Sequence, residues 1–105
     1  MSERLHAATL ADLAVDTAKR VDLGEHRIAL IRFADQVYAI GDECSHADYS
    51  LAEGILEPDD CAVECPKHGA LFDVRTGEPM TLPATQPVPT YTVEVDGDDI
   101  YVVIS

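Results

Sequence analysis

Two short motifs could do chemistry in this chain. Cys44-Ser45-His46 is followed, after eighteen residues, by Cys65-Pro66-Lys67-His68. A Cys-x-His pair puts a thiol and an imidazole at the tip of one turn, and Cys-x-x-His does the same on a second. Two thiolates and two imidazoles can then converge from opposing loops on one metal centre. Gly69, directly after the second pair, permits a tight turn with no Cβ in the way. A mononuclear zinc site with two Cys and two His is one candidate, although such sites more often pair Cys with Cys and His with His. Here each loop supplies one of each, which suits a two-iron cluster with both Cys on one iron and both His on the other. The donor set leaves both open.

The elements that must position these residues read as β-strands. Alternation of period two dominates the chain. Residues 27–40 form a hairpin that turns near Ala34-Asp35, and residues 90–104 form another across Asp96-Gly97-Asp98-Asp99. An Asp-Gly pair between two β-branched runs is a strong hairpin signal. RLHAA and AKRVDL read as shorter strands, the second closed by Gly24-Glu25. Thr9 to Leu13 reads as one helical turn with Thr9 as its cap. Residues 42–89 differ, because Gly and Pro accumulate there and imply tight loops on a regular scaffold.

Composition narrows the partners. The chain has 105 residues, enough for one small domain. Its 20 acidic against 7 basic side chains leave a net charge of −13, which argues against nucleic acid and against an anionic membrane surface. From Cys44 onward twelve acids face only Lys67 and Arg75. That excess serves solubility, steered docking to a basic patch on a partner protein, or both. No basic start followed by an apolar run resembles a signal peptide, and no stretch approaches the ~20 apolar residues of a membrane helix. A cytoplasmic, membrane-free protein is expected. Three cysteines in a reducing compartment are not a disulfide framework.

The segment CSHADYSLAEGILEPDDCAVECPKHGALFDVRTGEPMTLPATQPVPTYTVE resembles a Rieske-type 2Fe–2S ferredoxin, above all the ferredoxin component of bacterial ring-hydroxylating dioxygenase systems. The double motif, HGALFD-x-x-TG and a Pro-rich third loop carry the likeness. The resemblance implies an all-β fold, an antiparallel sandwich or barrel within one Rieske domain over 1–105. Its basal part would span about 1–41 and 84–105, and its loop-rich cluster-binding part about 42–83.

It implies one 2Fe–2S cluster, with Cys44 and Cys65 on the inner iron and His46 and His68 on the outer iron near the surface. The Leu82-Pro83-Ala84 loop would cover it. The implied function is one-electron transfer from a flavin-dependent reductase to a terminal non-haem iron oxygenase, with docking near His46 and His68 and no chemistry on an organic substrate. Three alternatives stand beside it: a same-fold ferredoxin for iron–sulfur assembly or redox homeostasis, a zinc-bound structural module, and an accessory protein like the nitrite reductase small subunit.

Departures from the respiratory branch carry information. That branch braces its loops with a disulfide, where this chain has Tyr49 and Lys67. It also places hydroxyl donors near the cluster, where this chain has Ala70 and Phe72. Hydrogen bonds to sulfur favour the more negative reduced state, so their loss implies a potential at the low end of the Rieske range, roughly −150 mV.

Remaining residues have plainer expected roles. Cys61 shares strand parity with Val63 and Cys65 and is expected to be a buried small hydrophobe. His6 and His26 are expected at surface or turn positions. Asp73 and Thr76-Gly77 are expected to set the turn after the second loop.

Overall fold

The computed structural model describes residues 3–34, 36–42, 50–65, 71–80 and 87–104. Nine strands run through them: β1 (Glu3–Thr9), β2 (Thr17–Leu23), β3 (His26–Phe33), β4 (Gln36–Gly41), β5 (Ile55–Glu57), β6 (Ala62–Glu64), β7 (Leu71–Asp73), β8 (Thr90–Asp96) and β9 (Asp99–Ile104). Among the described residues there is no α-helix, only one-turn 3-10 segments at Leu10–Asp12, Leu51–Glu53 and Pro58–Asp60.

Both expected hairpins form. β3 pairs antiparallel with β4 through Phe33↔Gln36, with Ala34 at φ 52° in the turn. β8 pairs with β9 through Asp96↔Asp99, with Gly97 at φ 64°. Gly24, at φ 63°, closes β2 onto β3 as the Gly24-Glu25 signal implied.

Six strands make one antiparallel sheet in the order β1-β9-β8-β4-β3-β2, and β5-β6-β7 make a second. The first sheet curls on itself. Ile28, Leu30 and Ala39 share one buried cluster with Ala8, Leu13, Ile100 and Val102. From the other face of β3 and β4, Ala29, Ile31, Phe33 and Ile40 share a second cluster with Leu51, Val63, Cys65, Phe72, Val74 and Val88. β3 is therefore buried on both sides, and Ile28, Ala29, Leu30 and Ile31 are each 0% exposed. At about 1.5–3 kcal/mol for each fully buried large aliphatic side chain, that short run anchors both clusters.

Two local expectations are corrected. Thr9 precedes the first 3-10 turn, but its hydroxyl donates to Asp12 Oδ2 at 3.0 Å and accepts from no backbone N–H of the turn. The hydroxyl is engaged as a donor to the Asp12 carboxylate three residues on, and its oxygen caps no N–H of the turn. Cys61 is not on β6, which begins at Ala62. Pro58 opens a 3-10 turn, the Cys61 N–H donates to the Pro58 carbonyl at 3.2 Å, and Cys61 closes the turn in the left-handed region at φ 53°. Its thiol is half-buried and still packs against the cluster that holds Val63 and Cys65.

Candidate metal centre

Of the four expected ligands, Cys65 is described; Cys44, His46 and His68 lie outside the described residues, as does the Leu82-Pro83-Ala84 loop. Cys65 follows β6, is 0% exposed and forms no disulfide. Among the described residues, no group of three or more His, Cys, Asp or Glu side chains could hold a metal ion.

What the described residues do show is how the segments with the expected ligands are anchored. The 43–49 segment starts from Asp42, and Leu51 N–H donates back to the Asp42 carbonyl at 2.6 Å. Asp42 Oδ1 accepts from Ser50 Oγ at 2.8 Å and from Ala52 N–H at 3.0 Å. The 66–70 segment is closed by the β6–β7 pairing, Glu64↔Leu71. A third segment, 81–86, leaves where Met80 N–H donates to the Leu71 carbonyl at 2.7 Å and returns where Val88 N–H donates to the Gly77 carbonyl at 2.8 Å. Leu51, Cys65, Phe72 and Val88 stand beside these three necks, and all four belong to one apolar cluster. The ends of all three segments thus stand on a single packed base.

The turn after β7 follows the expected residues. Asp73 accepts from Arg75 N–H at 2.8 Å and from its guanidinium at 3.2 and 3.0 Å, and Thr76 Oγ1 accepts from Glu78 N–H at 3.2 Å. The Arg75 guanidinium beside Asp73 holds its carboxyl below the usual carboxylate range, against the opposing effect of burial. Gly77, at φ 77°, brings its backbone so close to the Val88 carbonyl that any Cβ would collide with it. Nearby, hydrogen bonding to Cys61 and then burial push the Tyr38 hydroxyl above its ordinary value, and the Cys61 Sγ stands 3.7 Å from it.

The two other histidines serve the scaffold. His6 is exposed on β1, with Nε2 3.0 Å from Asp99 Oδ1. His26 is half-buried at the start of β3, with Nδ1 3.4 Å from the Tyr91 hydroxyl.

A fully buried, unpaired thiol at a strand end suits an inner ligand of an iron–sulfur cluster.

Fold and sequence together place the chain among the small iron–sulfur proteins. The Rieske [2Fe-2S] domain model matches residues 3–92, and the chain belongs to that family. It is a Rieske electron carrier with one 2Fe–2S cluster, which closes the choice between zinc and iron that the donors left open. It is 46% identical over 99 residues to the 3-phenylpropionate/cinnamic acid dioxygenase ferredoxin subunit of Escherichia coli (strain K12), covering 94% of this chain and 92% of the relative.

The ferredoxin of carbazole 1,9a-dioxygenase from Nocardioides aromaticivorans IC177 superposes with a TM-score of 0.91 at 39% identity, over 94% of this chain and 95% of that one. A solved complex of reduced oxygenase and oxidized ferredoxin in carbazole 1,9a-dioxygenase matches with a TM-score of 0.86 at 39% identity, over 94% of this chain and 91% of that one.

Sequence reasoning missed Asp42, Ser50 and Arg20. Asp42 stands two residues before Cys44, and an acidic side chain there gives no periodic signal. Its burial is what marks it.

Proposed function

We propose that this chain is the ferredoxin component of a ring-hydroxylating dioxygenase system, accepting single electrons from a flavin-dependent reductase and delivering them to a terminal non-haem iron oxygenase in the cytoplasm. The observation that carries the reading is the buried, unpaired Cys65 at the base of three anchored loops, in a chain 46% identical to a dioxygenase ferredoxin subunit. Among the described residues no helix is long and apolar enough to cross a membrane.

When bound, the cluster supplies a one-electron couple. In this reading Cys44 and Cys65 hold the inner iron, while His46 and His68 hold the outer iron and dock against the partner. The three-stranded sheet and the loops on its base form the cluster-binding part, about 42–83, and the six-stranded sheet forms the basal part. Exposed Glu53, Asp59, Asp60 and Glu78 lie in the chain segment around the ligands and steer it toward a basic partner surface. Added salt then slows association with the oxygenase.

The reading is tested by reducing the purified protein anaerobically and mixing it with its oxygenase in a stopped-flow experiment. Reoxidation on mixing is expected, with two irons and two inorganic sulfides per chain. Protein that carries a single zinc, or no inorganic sulfide, refutes the proposal. A potentiometric series tests the histidines. The oxidised state loses imidazole protons at alkaline pH, so the potential falls as pH rises, and a flat profile from neutral to strongly alkaline pH excludes two-His ligation.

A further inference from the structure

Asp42 is the one charged or polar side chain that is fully buried among the described residues, at 3% exposure. A carboxylate in that position costs several kcal/mol unless it is paired and hydrogen-bonded. Asp42 is both. Its carboxylate accepts from Ser50 Oγ and Ala52 N–H, and its Oδ2 lies 3.7 Å from Arg20 Nε on β2. Its backbone N–H donates to the Arg27 carbonyl on β3 at 3.0 Å, and its carbonyl accepts from Leu51 N–H. One residue therefore joins β2, β3 and the start of the Leu51–Glu53 turn.

These bonds tie the two ends of the 43–49 segment to each other and to the six-stranded sheet. That segment carries Cys44 and His46. We propose that Asp42 is a positioning residue for the first ligand pair: it clamps the neck of the Cys44/His46 loop against the scaffold, with Arg20 as its counter-charge. The inference rests on the ligand assignment given under the proposed function. Ordinary packing does not explain the residue, because an apolar side chain there would accept from neither Ser50 nor Ala52. The carboxylate is retained for its directed acceptors.

The test compares holo-protein variants Asp42→Ala, Asp42→Asn, Arg20→Ala and Ser50→Ala with Gly97→Ala, which perturbs a turn remote from the loop in sequence. Two quantities are read below the unfolding transition: the rate at which visible absorbance disappears under a chelator, and the EPR line shape of the reduced protein. Asp42→Ala is expected to lose its cluster roughly tenfold faster with a broadened signal. Arg20→Ala and Ser50→Ala should shift in the same direction by less. Asp42→Asn should stay near wild type, since its amide oxygen still accepts both bonds, and Gly97→Ala should lower the melting temperature alone.

Wild-type behaviour of Asp42→Ala, or an equal effect from Gly97→Ala, overturns the proposal. If Asp42→Ala does not accumulate as folded protein, unchanged Arg20→Ala and Ser50→Ala variants overturn it instead. Wild-type protein without inorganic sulfide would sink the ligand assignment itself, whereas loaded wild type with an indifferent Asp42→Ala sinks only the positioning role.

Discussion

The two sheets of this protein are built on different terms. In the six-stranded sheet, β2 and β3 pair through seven consecutive registers from Thr17↔Arg32 to Leu23↔His26, and the ladder largely specifies itself. In the three-stranded sheet each strand has three residues. Strands that short cannot stand alone in water. They persist because Val63 and Phe72, paired across β6 and β7, are both 0% exposed against the other sheet, and because tight turns hold their ends. A regular sheet supplies rigidity, and a small one, held by packing and turns, supplies loop ends where ligands can be placed.

Removing the thiol at the base of the loops should break this division most sharply. Cys65→Ser is expected to abolish the 2Fe–2S absorbance while far-UV circular dichroism keeps the signature of the six-stranded sheet. Loss of both together would mean that the sheets do not differ in dependence on the cluster.

Phe72→Ala comes next. It empties the contact between the sheets and should cost about 3–5 kcal/mol in urea unfolding of the cluster-free protein. A cost under about 1 kcal/mol would show that the small sheet is held by something other than that contact.

The glycines sharpen the comparison, because two of them share a left-handed backbone in different surroundings. Gly97→Ala in the β8–β9 turn meets nothing within 4 Å and should cost only about 1 kcal/mol. Gly77→Ala carries a similar strain of about 1–3 kcal/mol and adds a collision with the Val88 carbonyl, so it should cost clearly more. Equal losses in thermal unfolding would remove the close approach from the account.

Acid gives the smallest effect. The Asp73 carboxyl is held below its ordinary value, chiefly by Arg75, so its contribution is present above the unfolded carboxylate pKa of about 3.9 and fades as pH falls through the lowered native value. Wild type and Asp73→Asn should differ in melting temperature at pH 6 and converge toward pH 2. A difference that persists in acid would mean that Asp73 acts through shape and not charge.

Much of the scaffold was legible in the residues because it is local. Asp96-Gly97 and Gly24-Glu25 each declare a turn through a backbone that glycine adopts without strain, and Asp73 with Thr76 declares another through side chains that reach only two residues along the chain. The Cys-x-His and Cys-x-x-His spacings were equally local, and with the loop motifs around them they carried the resemblance to the Rieske family that the domain match shows. Cys61 was misplaced because strand parity assumes that the strand has already begun, and Pro58 delays it.

By itself the sequence determined the strands of the six-stranded sheet and most of their turns, since each depends on torsional preference within a few residues. Only the tertiary structure decided that Ile28 to Ile31 serve two cores at once, that β4 lies beside β8, and that the carboxylate of Asp42 is buried against Ser50 and Ala52. Those outcomes depend on which distant surfaces exclude water together. Burial is a property of the assembled layers, and no window of neighbouring residues contains it.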